Sequence, residues 1–306
     1  MRGERIIEID NATVQAIGSE THAYQGYMKA SENVLFSPRV MLNSSGNFNR
    51  EVTADLFVHK DFPSGPMRSA IVFLHGGCWR FGSATQFYTQ SEYLAEKHHF
   101  VCLNVDYRMS AEAIFPAALI DAKRGIKWLR QNSGKYNIDV NRIAVCGGSS
   151  GANIASLVST TRDVKEYEPD EYDDEISSEA NAAILFNGEF DMWDLARKGS
   201  MLEAMKAFLG GTPEEMPERY DEISSIKWIN SETCPTLLLH GTRDDCVSHE
   251  QSVAYYNKLK SLGVHSEIEL YQGKPHAWFN LEPDKSVTLR RMEEFLLSVF
   301  RLDGGG

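Results

Sequence analysis

The chain has no apolar run approaching the roughly 20 residues that a membrane-spanning helix requires, so no membrane partner is expected. It has no basic surplus either. Lys and Arg total 31 against 43 Asp and Glu, a net charge of −12. A nucleic-acid surface needs a basic stripe to meet phosphates, so a nucleic-acid partner is not expected. The opening stretch, MRGERIIEIDNATVQ, lacks the apolar core and small-residue cleavage site of a secretory leader. As it stands the chain reads as cytoplasmic, although a leader already removed would leave no trace. Cysteine is scarce: Cys78, Cys102, Cys146, Cys234 and Cys246 make an odd count of 5, with no Cys-x-x-Cys. That spacing fits neither a disulfide framework nor a zinc site, and no metal is expected. Cys102 and Cys146, inside apolar runs, read as small buried hydrophobes. Repeats, low-complexity tracts and a second compositional regime are all absent.

What is present suits a globular α/β domain. Hydrophobic residues make up 42% of the 306 and charged ones 24%, enough to bury one large core. The expectation is a single domain over residues 1–306. A polar N-terminal extension over 1–50 should hold a helix and an edge strand, and a helical insertion should span 191–229. Short apolar runs at Val52–Val58, Ala70–Leu74, Val101–Val105, Ile143–Cys146, Ala182–Phe186, Thr236–Leu239 and Ser266–Tyr271 predict strands. Between them Pro116–Gln131, Ala152–Thr160, Glu250–Leu262 and Val287–Phe300 carry apolar residues at helical spacing. That alternation predicts βαβ crossovers and a mostly parallel sheet of about eight strands with helices on its faces. The acid-rich segment Asp163–Glu179 reads as a solvated loop rather than a calcium site.

The strongest local signal is Gly147-x-Ser149-x-Gly151, set between an apolar strand and a helical run. A serine on so tight a strand-to-helix turn needs small neighbours, and this is the context of a nucleophile elbow. Ser150 is the competitor, but the frame centred on it ends in Ala152; its backbone N–H is assigned to an oxyanion instead. Upstream, Ile71–Leu74 runs into His75, Gly76 and Gly77, glycines whose amides can approach an oxyanion closely, with the amide of Cys78 as an additional candidate. His75 reads as a brace for that loop. A serine hydroxyl needs a base, and His276, on a loop after the last strand, is the best of nine histidines. His98 and His99, taken to open a strand, and His249, opening a helix, read as structural. The acid that would orient the base is Asp244, after the strand ending in His240-Gly241. Asp245 is its alternative, and Glu189 and Asp191 are remoter choices. Trp79, Trp193 and Trp278 are candidate substrate-pocket residues that fit the core equally well.

Taken together, His75-Gly-Gly-Cys-Trp79, Asp106-Tyr-Arg108, Phe115-Pro-Ala-Ala118 with Asp121, Gly147-Gly-Ser-Ser-Gly151, His240-Gly-Thr-Arg-Asp244 and His276 resemble the esterase/lipase branch of the α/β-hydrolases. That branch includes the hormone-sensitive-lipase-like and BD-FAE groups. The resemblance covers about residues 50–300. It implies the α/β-hydrolase fold and a serine carboxylic-ester hydrolase without cofactor. Its implied site is Ser149, Asp244 and His276, with Gly76, Gly77 and Ser150 around the oxyanion. Cys78 stands where the lipase-like group has a third glycine, and Gly148 and Ser150 replace its usual Asp and Ala; these choices are closer to BD-FAE. Short-chain acyl or aryl esters, acetylated or feruloylated saccharides among them, follow from the resemblance alone. An arylformamidase or amidase using the same triad, and a non-catalytic ligand-binding homologue, stay open as alternatives. The oligomeric state, a dimer included, is not legible.

Overall fold

A computed structural model describes residues 31–43, 51–162, 164–199 and 201–302. The apolar runs become strands β1 (Val34–Met41), β2 (Thr53–His59), β3 (Arg68–Leu74), β4 (Val101–Asp106), β5 (Ile138–Gly148), β6 (Ala182–Phe186), β7 (Thr236–Gly241) and β8 (Ser266–Tyr271). They form an 8-stranded sheet in the order β1-β2-β4-β3-β5-β6-β7-β8. β2 runs antiparallel to both β1 and β4, and every other pairing is parallel. β1 is the edge strand expected of the first fifty residues. The helix expected there has no counterpart in 31–43, and the rest of 1–50 other than those residues lies outside the described structure.

Along each central strand the side chains alternate between two cores. Ala70, Val72 and Leu74 of β3 enter one apolar cluster, while Ile71 and Phe73 enter the other. A strand buried on both faces has no polar side to show, which is why its sequence reads as a continuous apolar run. Helices α2 (Ala117–Gln131), α4 (Ser150–Thr160) and α8 (Glu250–Ser261) cover the first face through Leu119, Ile154 and Tyr255. Helices α1 (Tyr88–His98) and α9 (Asp284–Val299) cover the second through Leu94 and Phe295. A four-residue turn, α3 (Ser133–Tyr136), precedes β5. Between β6 and β7 lie α5 (Met192–Lys198), α6 (Leu202–Leu209) and α7 (Pro217–Glu222), where the helical insertion was expected. None of the described helices is long and apolar enough to cross a membrane.

Two local expectations need correcting. His98 and His99 do not open a strand. His98 is the last residue of α1, and His99 takes a left-handed φ of 56° that ends the helix before β4 begins at Val101. The acid-rich segment is not simply solvated. Lys123, fully buried on α2, donates to Glu168 Oε1 at 2.8 Å and to the Thr161 carbonyl at 2.6 Å. Lys127 pairs with the other Glu168 oxygen at 3.2 Å, and Arg124 pairs with Glu171. The carboxylates offset the cost of burying α2's cations, so the segment is strapped to the fold. Glu168→Ala is expected to cost about 2 to 3 kcal/mol, because it strands a buried ammonium. Equilibrium urea unfolding against the parent measures it, and an unchanged midpoint would refute the role given to the strap.

Candidate active site

The parallel strands deliver their C-terminal ends to one rim, where open α/β sheets gather their functional loops. Ser149 occupies the turn between β5 and α4 with φ 53° and ψ −126°, a strained conformation for a residue with a Cβ. Its neighbours explain the glycines. A Cβ on Gly147 would lie 2.1 Å from the Gly151 carbonyl oxygen, and one on Gly151 would lie 2.1 Å from that of Leu74. The turn is therefore closed to larger residues at both positions.

His276 follows β8 and Asp244 follows β7. Their loops can touch because Gly241 has no side chain: a Cβ there would sit 2.3 Å from the Lys274 carbonyl oxygen. Arg243 donates its backbone N–H to that same carbonyl at 3.0 Å. His276 Nε2 then stands 3.0 Å from Ser149 Oγ, and Nδ1 stands 2.7 Å from Asp244 Oδ2. The other Asp244 oxygen accepts the backbone N–H groups of Cys246 and Val247 at 2.9 and 2.8 Å. His240 Nε2 also faces Oδ2, at 3.1 Å. Asp245, the alternative acid, is exposed, and it is Asp244 that meets His276.

Charge follows geometry. Burial would raise the Asp244 carboxyl, but hydrogen bonds from His240 and His276 outweigh it and hold the group well below the usual carboxylate range. Burial would likewise lower His276, yet the hydrogen bond and charge of Asp244, joined by the charge of Glu189, raise it. The thiols are poor nucleophiles here: burial pushes Cys78 up to about 12 and Cys246 to about 11.

After β3 the chain takes positive φ at Gly77, Cys78 and Trp79 in succession. The amides of Gly77, Cys78 and Ser150 have no acceptor among the described residues. Gly76 departs from expectation: its N–H donates to Gln86 Oε1 at 2.7 Å and is already occupied. Gln86 in turn donates to Asn280 Oδ1 at 3.2 Å, tying this loop to the one that carries His276. His75 is a brace, as its position suggested. Its ring stacks on Tyr107 at 4.3 Å, and the Tyr107 hydroxyl donates to its carbonyl at 2.7 Å.

The three tryptophans have mixed placements. Trp79 is fully buried and stacked on Phe208 at 5.1 Å. Trp278 is buried against Tyr271 at 5.1 Å. Trp193, half-buried, donates to Asp221 at 2.5 Å within the helical insertion. Two neighbours of the relay come instead from the turn after β6. The Asn187 amide nitrogen lies 3.3 and 3.4 Å from the two ring nitrogens of His276, across the face of the imidazole. Glu189 Oε1 lies 3.1 Å from Ser149 Oγ.

Two groups of side chains among the described residues bring metal-ligating atoms within 4.8 Å of one another: Asp244, Cys246 and His276, and His59, Asp61 and His99. In the first, the Asp244–His276 contact is already accounted for by a hydrogen bond. In the second, Arg68 holds the carboxylate.

A sheet of this order, with serine, acid and histidine after β5, β7 and β8 at one rim, defines an α/β hydrolase. The chain belongs to the BD-FAE family, whose model matches residues 55–259. Among curated proteins it is similar to esterase LipC of Mycobacterium tuberculosis, 30% identical over 68% of this chain and 52% of that one. It is also similar to esterase LipQ of the same organism, 27% identical over 72% and 52%. The chain thus spans about half the length of these relatives. Among solved structures, the propionate-bound esterase 2 of Thermogutta terrifontis superposes with a TM-score of 0.75 at 28% identity, covering 92% of this chain and 99% of that one.

Proposed function

We propose that the protein is a serine carboxylic-ester hydrolase acting on short-chain acyl or aryl esters, ester groups on saccharides included. The observation that carries the reading is the unbroken relay from Ser149 Oγ through His276 to the buried Asp244 carboxylate. His276 Nε2 takes the hydroxyl proton as Ser149 attacks the ester carbonyl. The developing oxyanion is held by the amides of Gly77, Cys78 and Ser150; Gly76 sets the loop through Gln86. His276 then returns the proton to the leaving alcohol, and water repeats the sequence to release the acid.

Two observations support a short acyl group. Ser149 is only 7% exposed, and the Phe279 ring lies so near Gly148 that a Cβ there would meet it at 2.7 Å. The similar esterase 2 has been solved with propionate and with butyrate bound. Initial rates over p-nitrophenyl esters of rising chain length test this. Acetyl to butyryl should be cleaved fastest, with octanoyl about tenfold slower or worse. Preference for octanoyl would overturn the acyl-length reading, and preference for N-formylkynurenine over aryl acetates would replace esterase by arylformamidase.

A further inference from the structure

Glu189 has no part in the relay as drawn, yet it touches the nucleophile. It sits in the turn after β6, fully buried, and its backbone is fixed: Asn153 donates to its carbonyl at 3.0 Å, and the next amide, of Phe190, donates to Gln251 at 3.0 Å. Oε1 is 3.1 Å from Ser149 Oγ, while Oε2 is buried without a partner among the described residues. His276 Nε2 stands on the same oxygen at 3.0 Å. A hydroxyl has one proton. Two hydrogen bonds at Oγ therefore require a second proton, carried by Glu189 or by His276 Nε2.

We propose that Glu189 is a further catalytic residue, a carboxyl that shares one proton with His276 across the Ser149 hydroxyl. This rests on the hydrolase reading above. With the proton on the carboxyl, Glu189 donates to Oγ, the serine proton points at a neutral imidazole, and the base is ready. With the proton on the imidazole, Nε2–H donates to Oγ, the serine proton turns to the carboxylate, and no base remains. The exchange is a relay: the carboxyl proton passes to Oγ as the Oγ proton passes to Nε2, a net transfer of one proton from Glu189 to His276 that leaves the serine hydroxyl intact.

The electrostatics agree. Burial first, against the opposing pull of the His276 charge, pushes Glu189 up to about 7, and the charge of Glu189 helps raise His276. The other titratable groups facing Glu189 are Asp244, the Cys78 and Cys246 thiols and the Tyr107 hydroxyl. None of them supplies a positive charge to hold it ionised.

The test is the pH profile of kcat/KM for p-nitrophenyl acetate from about pH 5 to pH 9 in Glu189→Gln and Glu189→Ala. Activity needs neutral His276 and fades as pH falls through its pKa, and an ionised Glu189 raises that pKa. Both variants should therefore move the acid limb down by about one pH unit. Glu189→Ala should also lower the plateau by about tenfold, with Glu189→Gln falling less because its amide still donates to Oγ. An acid limb that stays in place in both variants overturns the proposal. A fluorophosphonate probe separates this from failure of the parent reading. Labelled variants with an unmoved limb remove only the role of Glu189, whereas an unlabelled parent removes the hydrolase.

Discussion

Ser149→Ala is expected to lower kcat for an aryl acetate by about five to six orders of magnitude, leaving only the residual rate of the surrounding site. The expectation follows from what the substitution spares. Alanine keeps the Cβ, and with it the turn held by Gly147 and Gly151 and by the Ser149 N–H bond to the Phe186 carbonyl at 2.9 Å. The amides of Gly77, Cys78 and Ser150 and the His276–Asp244 pair also remain. What goes is the single oxygen on which both His276 and Glu189 converge. KM should change little, because the acyl and alcohol contacts survive. Initial rates on the purified variant, with its circular dichroism unchanged, check this; a variant as fast as the parent would end the mechanism.

Asp244→Asn should cost about ten-thousand-fold in kcat with little change in the fold's outline. The asparagine oxygen can still accept the Cys246 and Val247 amides. Its NH2 group then faces His276 Nδ1, where a carboxylate oxygen had been. A donor there makes Nδ1 an acceptor and puts the ring proton on Nε2, pointing at the serine, so the base is in the wrong tautomer. His240, which also faces the lost oxygen, should make the variant less stable as well. Asp245→Asn is the control. That carboxyl is exposed, and its loss should change kcat by less than about twofold. If the two variants behave alike, the assignment of the acid is wrong.

The parts legible in the sequence are those in which backbone geometry dictates residue type. Gly147 and Gly151 are required by contacts near 2 Å, so the elbow shows itself as spacing. The choice of Asp244 over Asp245 followed from its distance past the His240-Gly241 turn, and only Asp244 meets His276. Central strands were visible because both faces are buried. Helix α1 is not legible in the sequence because its buried face carries Gln90 and Ser91, which erase the apolar period. Ser91 is satisfied by Asn104 on β4, a long-range contact that no local pattern signals.

The polar partners of the site were hidden for the same reason. Nothing around Gln86 marks it as the acceptor for the Gly76 amide, because only folding brings the segment after β3 against it. Glu189 was visible as a distant candidate for the orienting acid; its contact with Ser149 rather than with the imidazole nitrogens is a fact of packing. The acid-rich strap shows only its composition in the sequence, and the buried Lys123 on α2 that holds Glu168 lies 45 residues away in the chain.

The central claim is that one serine hydroxyl, activated by His276, is the nucleophile. Mass spectrometry after reaction with a fluorophosphonate tests it most directly. The account predicts one label per chain, on the peptide containing Ser149, with turnover lost in proportion to labelling. A label on another residue, or full labelling of Ser149 with turnover intact, would contradict it.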